Sequence, residues 1–203
     1  MRIALVTTTI YVPRVLAHYR QLDADVAIYV AGDRKTPHDE VRAFLDDLGN
    51  AVYLSDEEQE AAGYACSELI GWNTIPRRNV ALLEALRNGA DVVVTVDDDN
   101  IPVDAAYFDD LRALFSGPRA CLTATSELGW FNVGAFLEPP GFHRGFPHEL
   151  RSPAPDVALV GTPDVPVGVA AGVVLGCPGI DAVDRSAVRP SVRDASEARR
   201  GRL

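Results

Sequence analysis

Short apolar runs recur along the first 125 residues, and between them lie stretches whose apolar positions repeat with helical spacing. Ile3 to Thr9 reads as a buried strand, followed by a helix over Pro13 to Leu22. Ala24 to Val30 reads as a second strand that runs out at Ala31-Gly32-Asp33. Val41, Phe44, Leu45 and Leu48 then fall at i, i+3, i+4 and i+7, one face of a helix. Thr36 as N-cap, Pro37 in the first turn and Asp39 three residues after the cap predict its start, and Gly49 predicts its stop. Ala51 to Leu54 is a third strand, and Asp56-Glu57-Glu58 a solvated helix start. Pro76 to Asn88 predicts a helix with Val80, Leu83 and either Leu86 or Leu82 on its buried face, closed by Gly89. Val92 to Val96 reads as a short, fully buried strand of the parallel-sheet type. Tyr107 to Phe115 is a further helix ended by Gly117-Pro118, and Arg119 to Thr125 a fifth strand.

This alternation argues for an α/β fold: a mostly parallel, Rossmann-like sheet with helices on both faces. The pattern changes after Gly129. Residues 130–180 are rich in Gly and Pro and read as loops and short strands over the active edge of the sheet. Residues 185–203 carry six arginines and two acids, the composition of a poorly ordered tail or of the start of a further segment. Together these readings give one domain over 1–184 and an arginine-rich tail over 185–203.

The chain has 203 residues, is 47% hydrophobic and 24% charged, and so can build a real core. Its net charge of −10 argues against a general nucleic-acid binder, because phosphate backbones require a basic face. The three cysteines, Cys66, Cys121 and Cys177, have neither zinc spacing nor a disulfide framework, which points to a reducing cytoplasm. The first residues turn polar too soon for a signal peptide, and no stretch has the length of a membrane span.

The candidate chemistry centres on Asp97-Asp98-Asp99, three carboxylates delivered where the valine strand leaves the sheet. Ligands of open α/β sheets bind outside the carboxyl ends of the strands. Three adjacent negative charges repel unless solvent or a cation relieves them. Oxygen ligands of this kind suit Mg²⁺ or Mn²⁺ held together with a substrate's phosphates. The same residues also read as a solvated acidic turn, or as Asp99 or Asn100 capping a helix that begins near Pro102. Asp33 and Lys35 follow the second strand, where a nucleotide commonly lies; a turn aspartate beside a solvated lysine is the plainer reading. Arg77, Arg78 and Asn79 open a helix, where anions are favoured but cations oppose the macrodipole. Arg144-Gly-Phe-Pro147 places a cation beside a glycine in a loop, and Asp181 follows in Gly176-Cys-Pro-Gly-Ile-Asp-Ala182. His18, His38, His143 and His148 show no metal-ligand spacing. There is no P-loop, no G-x-G-x-x-G after the first strand and no G-x-S-x-G.

In this order the pieces resemble a nucleotide-sugar glycosyltransferase of the GT-A type. More narrowly, they resemble the reversibly glycosylated polypeptide family, which includes the plant UDP-arabinopyranose mutases, and the related STELLO-like proteins. The matching stretches are Gly32-Asp-Arg-Lys-Thr-Pro37, Arg78-Asn79 with Gly89-Ala90, Asp97-Asp-Asp-Asn100, Arg144-Gly-Phe-Pro147 and Gly176 to Ala182. The resemblance spans roughly residues 3 to 190 and implies a GT-A-like fold and a divalent metal, Mn²⁺ or Mg²⁺. It also implies a nucleotide-diphosphate sugar donor, a UDP-sugar in particular, with an acceptor that the residues do not name.

The resemblance assigns roles as well. Asp97 and Asp99 hold the metal, Asp99 being the main ligand. Thr8, Asp33, Lys35, Arg78 and Asp97 bind the donor. Arg144 and Asp98 act at the reacting centre, Arg144 matching an arginine needed for activity in the mutase branch. Relatives continue well beyond the position of Pro190 and complete the sugar and acceptor pocket there. That missing half sets a donor-binding remnant or interaction subunit beside the transferase, the resemblance itself adds a sugar-ring mutase as a near neighbour, and a homo- or hetero-oligomer is an expected form. A nucleotidyltransferase lacks support in Thr7 to Pro13, where a Gly-rich, Arg-containing loop belongs.

Overall fold

In the computed structural model, residues 1–102, 104–126, 128–136, 140–151 and 157–171 are described. The predicted residues Gly176 to Ala182, with Cys177 and Asp181, and the tail 185–203 lie outside them. The chain divides into two compact units, Met1–Ser116 and Gly117–Leu203.

In the first unit four strands form a parallel sheet in the order β3-β2-β1-β4. They are β1 (Ile3–Thr9), β2 (Ala27–Gly32), β3 (Ala51–Leu54) and β4 (Val92–Thr95). The helices between and after them are α1 (Leu16–Leu22), α2 (His38–Leu48), α3 (Asp56–Ala61), α4 (Ala65–Ile70), α5 (Arg78–Arg87) and α6 (Tyr107–Phe115). The fold is thus the expected α/β, Rossmann-like one.

Alternation along β1 and β2 sorts side chains to two faces. Ile3, Leu5, Ile28 and Val30 belong to a core of large residues closed by Leu16 and Tyr19 of α1, Val41 and Leu45 of α2 and Phe108 of α6. Ala4, Val6, Tyr29 and Ala31 meet Ala81 and Ala85 of α5 on the other face. Each fully buried Leu, Ile or Val contributes roughly 1.5–3 kcal/mol. The first face therefore supplies most of the burial, while small residues on the second let α5 lie directly over β1 and β2.

Several local expectations change. The buried face of α5 is Val80, Ala81 and Ala85, and Leu86 is half exposed. The sheet face opposite is itself lined by alanines, so small residues fit there. Thr36 does not cap α2: Pro37 stands at the cap position without a side-chain bond. The Thr36 hydroxyl instead accepts from Asp33 N–H at 2.7 Å and donates to Thr9 C=O at 2.7 Å. The acidic start at Asp56 is capped by Ser55, whose hydroxyl accepts from Glu58 N–H while the Glu58 carboxylate accepts from Ser55 N–H. β4 is only half buried, because among the described residues it pairs with β1 alone.

In the second unit β5 (Arg119–Ser126) does not extend the parallel sheet, contrary to expectation. It pairs antiparallel with β6 (Val157–Val165) in a two-stranded sheet. Its alternating cysteine, leucine and threonines leave it exposed or half buried along its length. Phe146 is buried among this unit's loops, with the rings of Trp130, Phe142 and His143 around it.

Candidate functional site at the carboxyl edge of the parallel sheet

Strand register builds the site. Thr9 of β1 lies opposite Gly32 of β2, so these strands end together. β4 stops with Thr95 opposite Val6, and Val96 N–H still donates to Val6 C=O at 3.1 Å. Thr7, Thr8 and Thr9 therefore run past the end of β4, alongside the chain that carries Asp97 to Asp99. A cleft of about 330 Å³ opens here, within the usual span of roughly 300–1,000 Å³ for small-molecule sites. Thr8, Thr9, Asp33, Lys35 and Asp98 give it a polar lining. Ile10, Tyr11 and Ile75 add apolar surface, and Asn73 and Thr74 complete one wall.

The three aspartates have different surroundings. Asp97 is exposed, and its Oδ1 lies 2.8 Å from Arg78 Nη1, which also donates to Val96 C=O at 3.2 Å. Asp98 is half buried and accepts a 2.5 Å bond from Thr9 Oγ1. The Thr9 hydroxyl is itself fixed by accepting from Tyr11 N–H at 3.0 Å. Asp99 is exposed, and no bond to its carboxylate is formed among the described residues. The turn is tied down through Asn100, whose N–H donates to Asp97 C=O and whose C=O accepts from Tyr19 Oη at 3.0 Å. No described helix begins near Pro102, since the next is α6 at Tyr107; the helix-capping reading of Asp99 or Asn100 thus falls away.

Asp33 is 2% exposed, and its carboxylate is used by the fold. Oδ1 accepts from Arg34 N–H at 2.7 Å, and Oδ2 accepts from Asn73 N–H at 2.7 Å and Thr74 N–H at 3.3 Å. It therefore anchors the cleft wall as well as lining the cleft. Asn73 needs that anchor, because its φ of 59° is in the left-handed region, which asparagine tolerates better than most residues. Thr8 Oγ1 donates to Ala31 C=O at 2.8 Å, joining β1 to β2 beneath the cleft. Lys35 is exposed at the cleft.

Arg77 and Arg78, neighbours in sequence, part company. Arg78 reaches the acidic turn through Asp97. Arg77 is fully buried and makes no ion pair among the described residues. Its Nε and Nη2 donate to Gln59 Oε1 at 3.0 and 2.6 Å, and its Nη1 donates to Ser67 C=O at 3.1 Å. The guanidinium lies 3.8 Å from the centre of the Trp72 ring. Burial pulls its pKa below the ordinary arginine value, and Asp33 partly offsets this. A buried ion costs several kcal/mol before its contacts are counted.

Arg144 lies in the second unit, exposed and followed by Gly145 at φ 88° in the turn where Phe146 N–H donates to His143 C=O. The structure thus brings Thr8, Asp33, Lys35 and Asp98 together on one cleft, sets Arg78, Asp97 and Asp99 at the same sheet edge, and leaves Arg144 described with its own unit. Sequence reasoning missed Thr9, Asn73, Thr74 and Gln59. The run Thr7-Thr-Thr9 at a strand's carboxyl end was a usable signal for the first; the others depend on contacts distant in sequence.

No three His, Cys, Asp or Glu side chains converge on a metal position among the described residues. What the turn offers is the Asp99 carboxylate, unbonded among the described residues, and the Asp98 carboxylate, one oxygen of which is held by Thr9. That fits Mg²⁺ or Mn²⁺, which keep water and substrate phosphates as ligands and need only one or two carboxylates. Asp97 fits less well as a ligand, because Arg78 already neutralises it. No helix of the described residues is long and apolar enough to cross a membrane. No protein-family model matches the chain, and no curated protein matches it either.

Proposed function

We propose that this protein binds a nucleotide-diphosphate sugar, a UDP-sugar by preference, with Mn²⁺ or Mg²⁺ at the carboxyl edge of its parallel sheet, and acts as a glycosyltransferase. One observation carries the reading: an acidic turn at the end of β4 adjoins a polar cleft lined by Asp98 together with Thr8, Asp33 and Lys35. The cleft has the size and mixed polarity that a nucleoside requires, with Ile10, Tyr11 and Ile75 for the flat base and hydroxyls and amides for its edges. Lys35 and Arg78 supply cations for phosphate oxygens. Asp99 offers the carboxylate with the fewest commitments, and Thr9 fixes the orientation of Asp98.

In transfer, the bond between the anomeric carbon and the diphosphate oxygen breaks with both electrons staying on that oxygen, while the acceptor's hydroxyl oxygen bonds the same carbon and gives up its proton to solvent. A bound cation would supply Lewis-acid stabilisation of the charge that develops there. The chain's own residues orient the donor: Arg78 steadies Asp97, and Asp33 fixes the wall at Asn73 and Thr74.

Donor binding without turnover is the second reading, and the commitment of the cleft's carboxylates favours it. Asp33 accepts three backbone N–H bonds and Asp98 is bound by Thr9. No other carboxylate lines the cleft among the described residues, so the carboxylates nearest a bound acceptor are ones the fold already uses.

Incubation with labelled UDP-sugars and Mn²⁺ separates the outcomes. Transfer only on addition of an acceptor supports the transferase. A ring-contracted nucleotide sugar formed without acceptor identifies a mutase of the reversibly glycosylated polypeptide type. Binding with neither reaction establishes the second reading, and failure to bind UDP or its sugars under any metal condition overturns the proposal.

A further inference from the structure

We infer that Arg77, although it lines no part of the cleft, is a positioning residue for it: its buried guanidinium holds the segment Gly71 to Ile75, one wall of the cleft, in the shape that receives the ligand. The functional half of this inference rests on the nucleotide reading above.

The wall has almost no apolar anchor of its own. α4, which leads into it, contains no buried residue, and Leu69 is 90% exposed. Ile75, at the far end, is 68% exposed. The chain enters the wall through Gly71 at φ 69° and passes Asn73 at φ 59°, both in the left-handed region, so its shape is not the backbone's default. Something other than hydrophobic packing must hold it.

Two buried polar groups do so. Asp33 takes the amides of Asn73 and Thr74 from one side. Arg77 takes the other side: Nη1 bonds Ser67 C=O, Ser67 Oγ at 3.0 Å and Gly71 C=O at 3.4 Å, and the flat guanidinium stacks on Trp72. Arg34 lies over the same indole at 5.0 Å. The remaining donors of Arg77 go to Gln59 Oε1, and Gln59 Nε2 donates to Gly32 C=O at 2.7 Å and Leu54 C=O at 2.9 Å. The ends of β2 and β3 are thereby linked through Gln59 and Arg77 to Trp72, and the chain returns through Asn73 and Thr74 to Asp33, next to Gly32. A buried cation met only by neutral acceptors is a poor device for stability alone. Its planar fork is well suited to gripping several carbonyls at once, which lysine cannot reproduce.

The test uses the full chain, with Arg77→Lys and the milder Ser67→Ala, and three readouts: residue-resolved amide exchange, UDP affinity, and the ratio of UDP affinities with and without Mn²⁺. In Arg77→Lys the amides of Asn73 and Thr74 should exchange about tenfold faster or more while those of β1 and β2 keep wild-type rates, the signature of local rather than global opening. The Kd for UDP should rise about tenfold, with the Mn²⁺ ratio unchanged because the acidic turn is untouched. Ser67→Ala should give the same local pattern at roughly two- to threefold, and it decides the matter if Arg77→Lys loosens the whole unit. Wild-type exchange at Asn73 and Thr74 in both variants, or uniform acceleration through β1 in both, overturns the inference, as does wild-type UDP affinity beside accelerated exchange. If the wild type binds no UDP, the nucleotide reading fails separately, and amide exchange alone decides whether Arg77 fixes the wall.

Discussion

The wall of the cleft and the acidic turn at the same sheet edge are built in opposite ways. On the wall side, Asp33 and Arg77 are buried, and their side chains bond to the protein's own backbone amides and carbonyls, the Gln59 amide and the Ser67 hydroxyl. On the acidic side, Asp97 and Asp99 are exposed; Asp97 leans on one arginine, and Asp99 has no hydrogen-bond partner among the described residues. A saturated, buried network specifies shape, since any lost partner leaves a costly orphan. Unsaturated, exposed carboxylates specify charge and leave their oxygens available to something from solution. Charged residues around one small cleft thus serve two ends, and burial distinguishes them better than residue type.

The strongest way to break the comparison is to remove one aspartate from each side. Asp33→Ala strips buried acceptors from the amides of Asn73 and Thr74 and should cost about 3 kcal/mol of stability. For a unit of this size that lowers the melting midpoint by more than roughly 10 °C. Asp99→Ala should stay within about 0.5 kcal/mol of wild type, as exposed substitutions do. Thermal unfolding of both variants checks this, and equal losses would erase the distinction between the sides.

A smaller effect sharpens the acidic side. Arg78→Ala should change stability by less than about 1 kcal/mol, because its pair with Asp97 is solvent-facing. It should also tighten binding of Mn²⁺ alone by about threefold, by removing a positive charge beside the turn, while weakening UDP. Manganese titration followed by paramagnetic relaxation reads the first sign and calorimetry the second. Weaker Mn²⁺ binding in Arg78→Ala would mean that the arginine organises the turn rather than competing for it.

Much of this arrangement was legible in the sequence. The alternation of apolar runs gave the α/β class, and β3 and α6 fall at the expected residues. Gly49 and Gly89, at φ 70° and 82°, end their helices as their positions suggested. The acidic turn follows its valine strand at the sheet edge as expected. What was hidden depends on partners distant in the chain. Arg77 looked like the twin of Arg78, and only the fold brings Gln59 and Ser67 to it. Thr36 had the local signature of a helix cap, but its hydroxyl found Asp33 and Thr9 instead. β5 had strand composition without any mark of its partner, and its antiparallel pairing with β6 spans a Gly- and Pro-rich segment that offers no periodicity to read.

The central claim is that Asp99 and its neighbours hold a divalent cation that in turn anchors a nucleotide's phosphates. Calorimetric titration of UDP into the wild type and Asp99→Ala, each with and without Mn²⁺, tests it most directly. The expected result is binding that Mn²⁺ strengthens by tenfold or more in the wild type, with that enhancement lost in the variant and folding intact. Equal affinities in the two proteins, or a wild type indifferent to Mn²⁺, would contradict it.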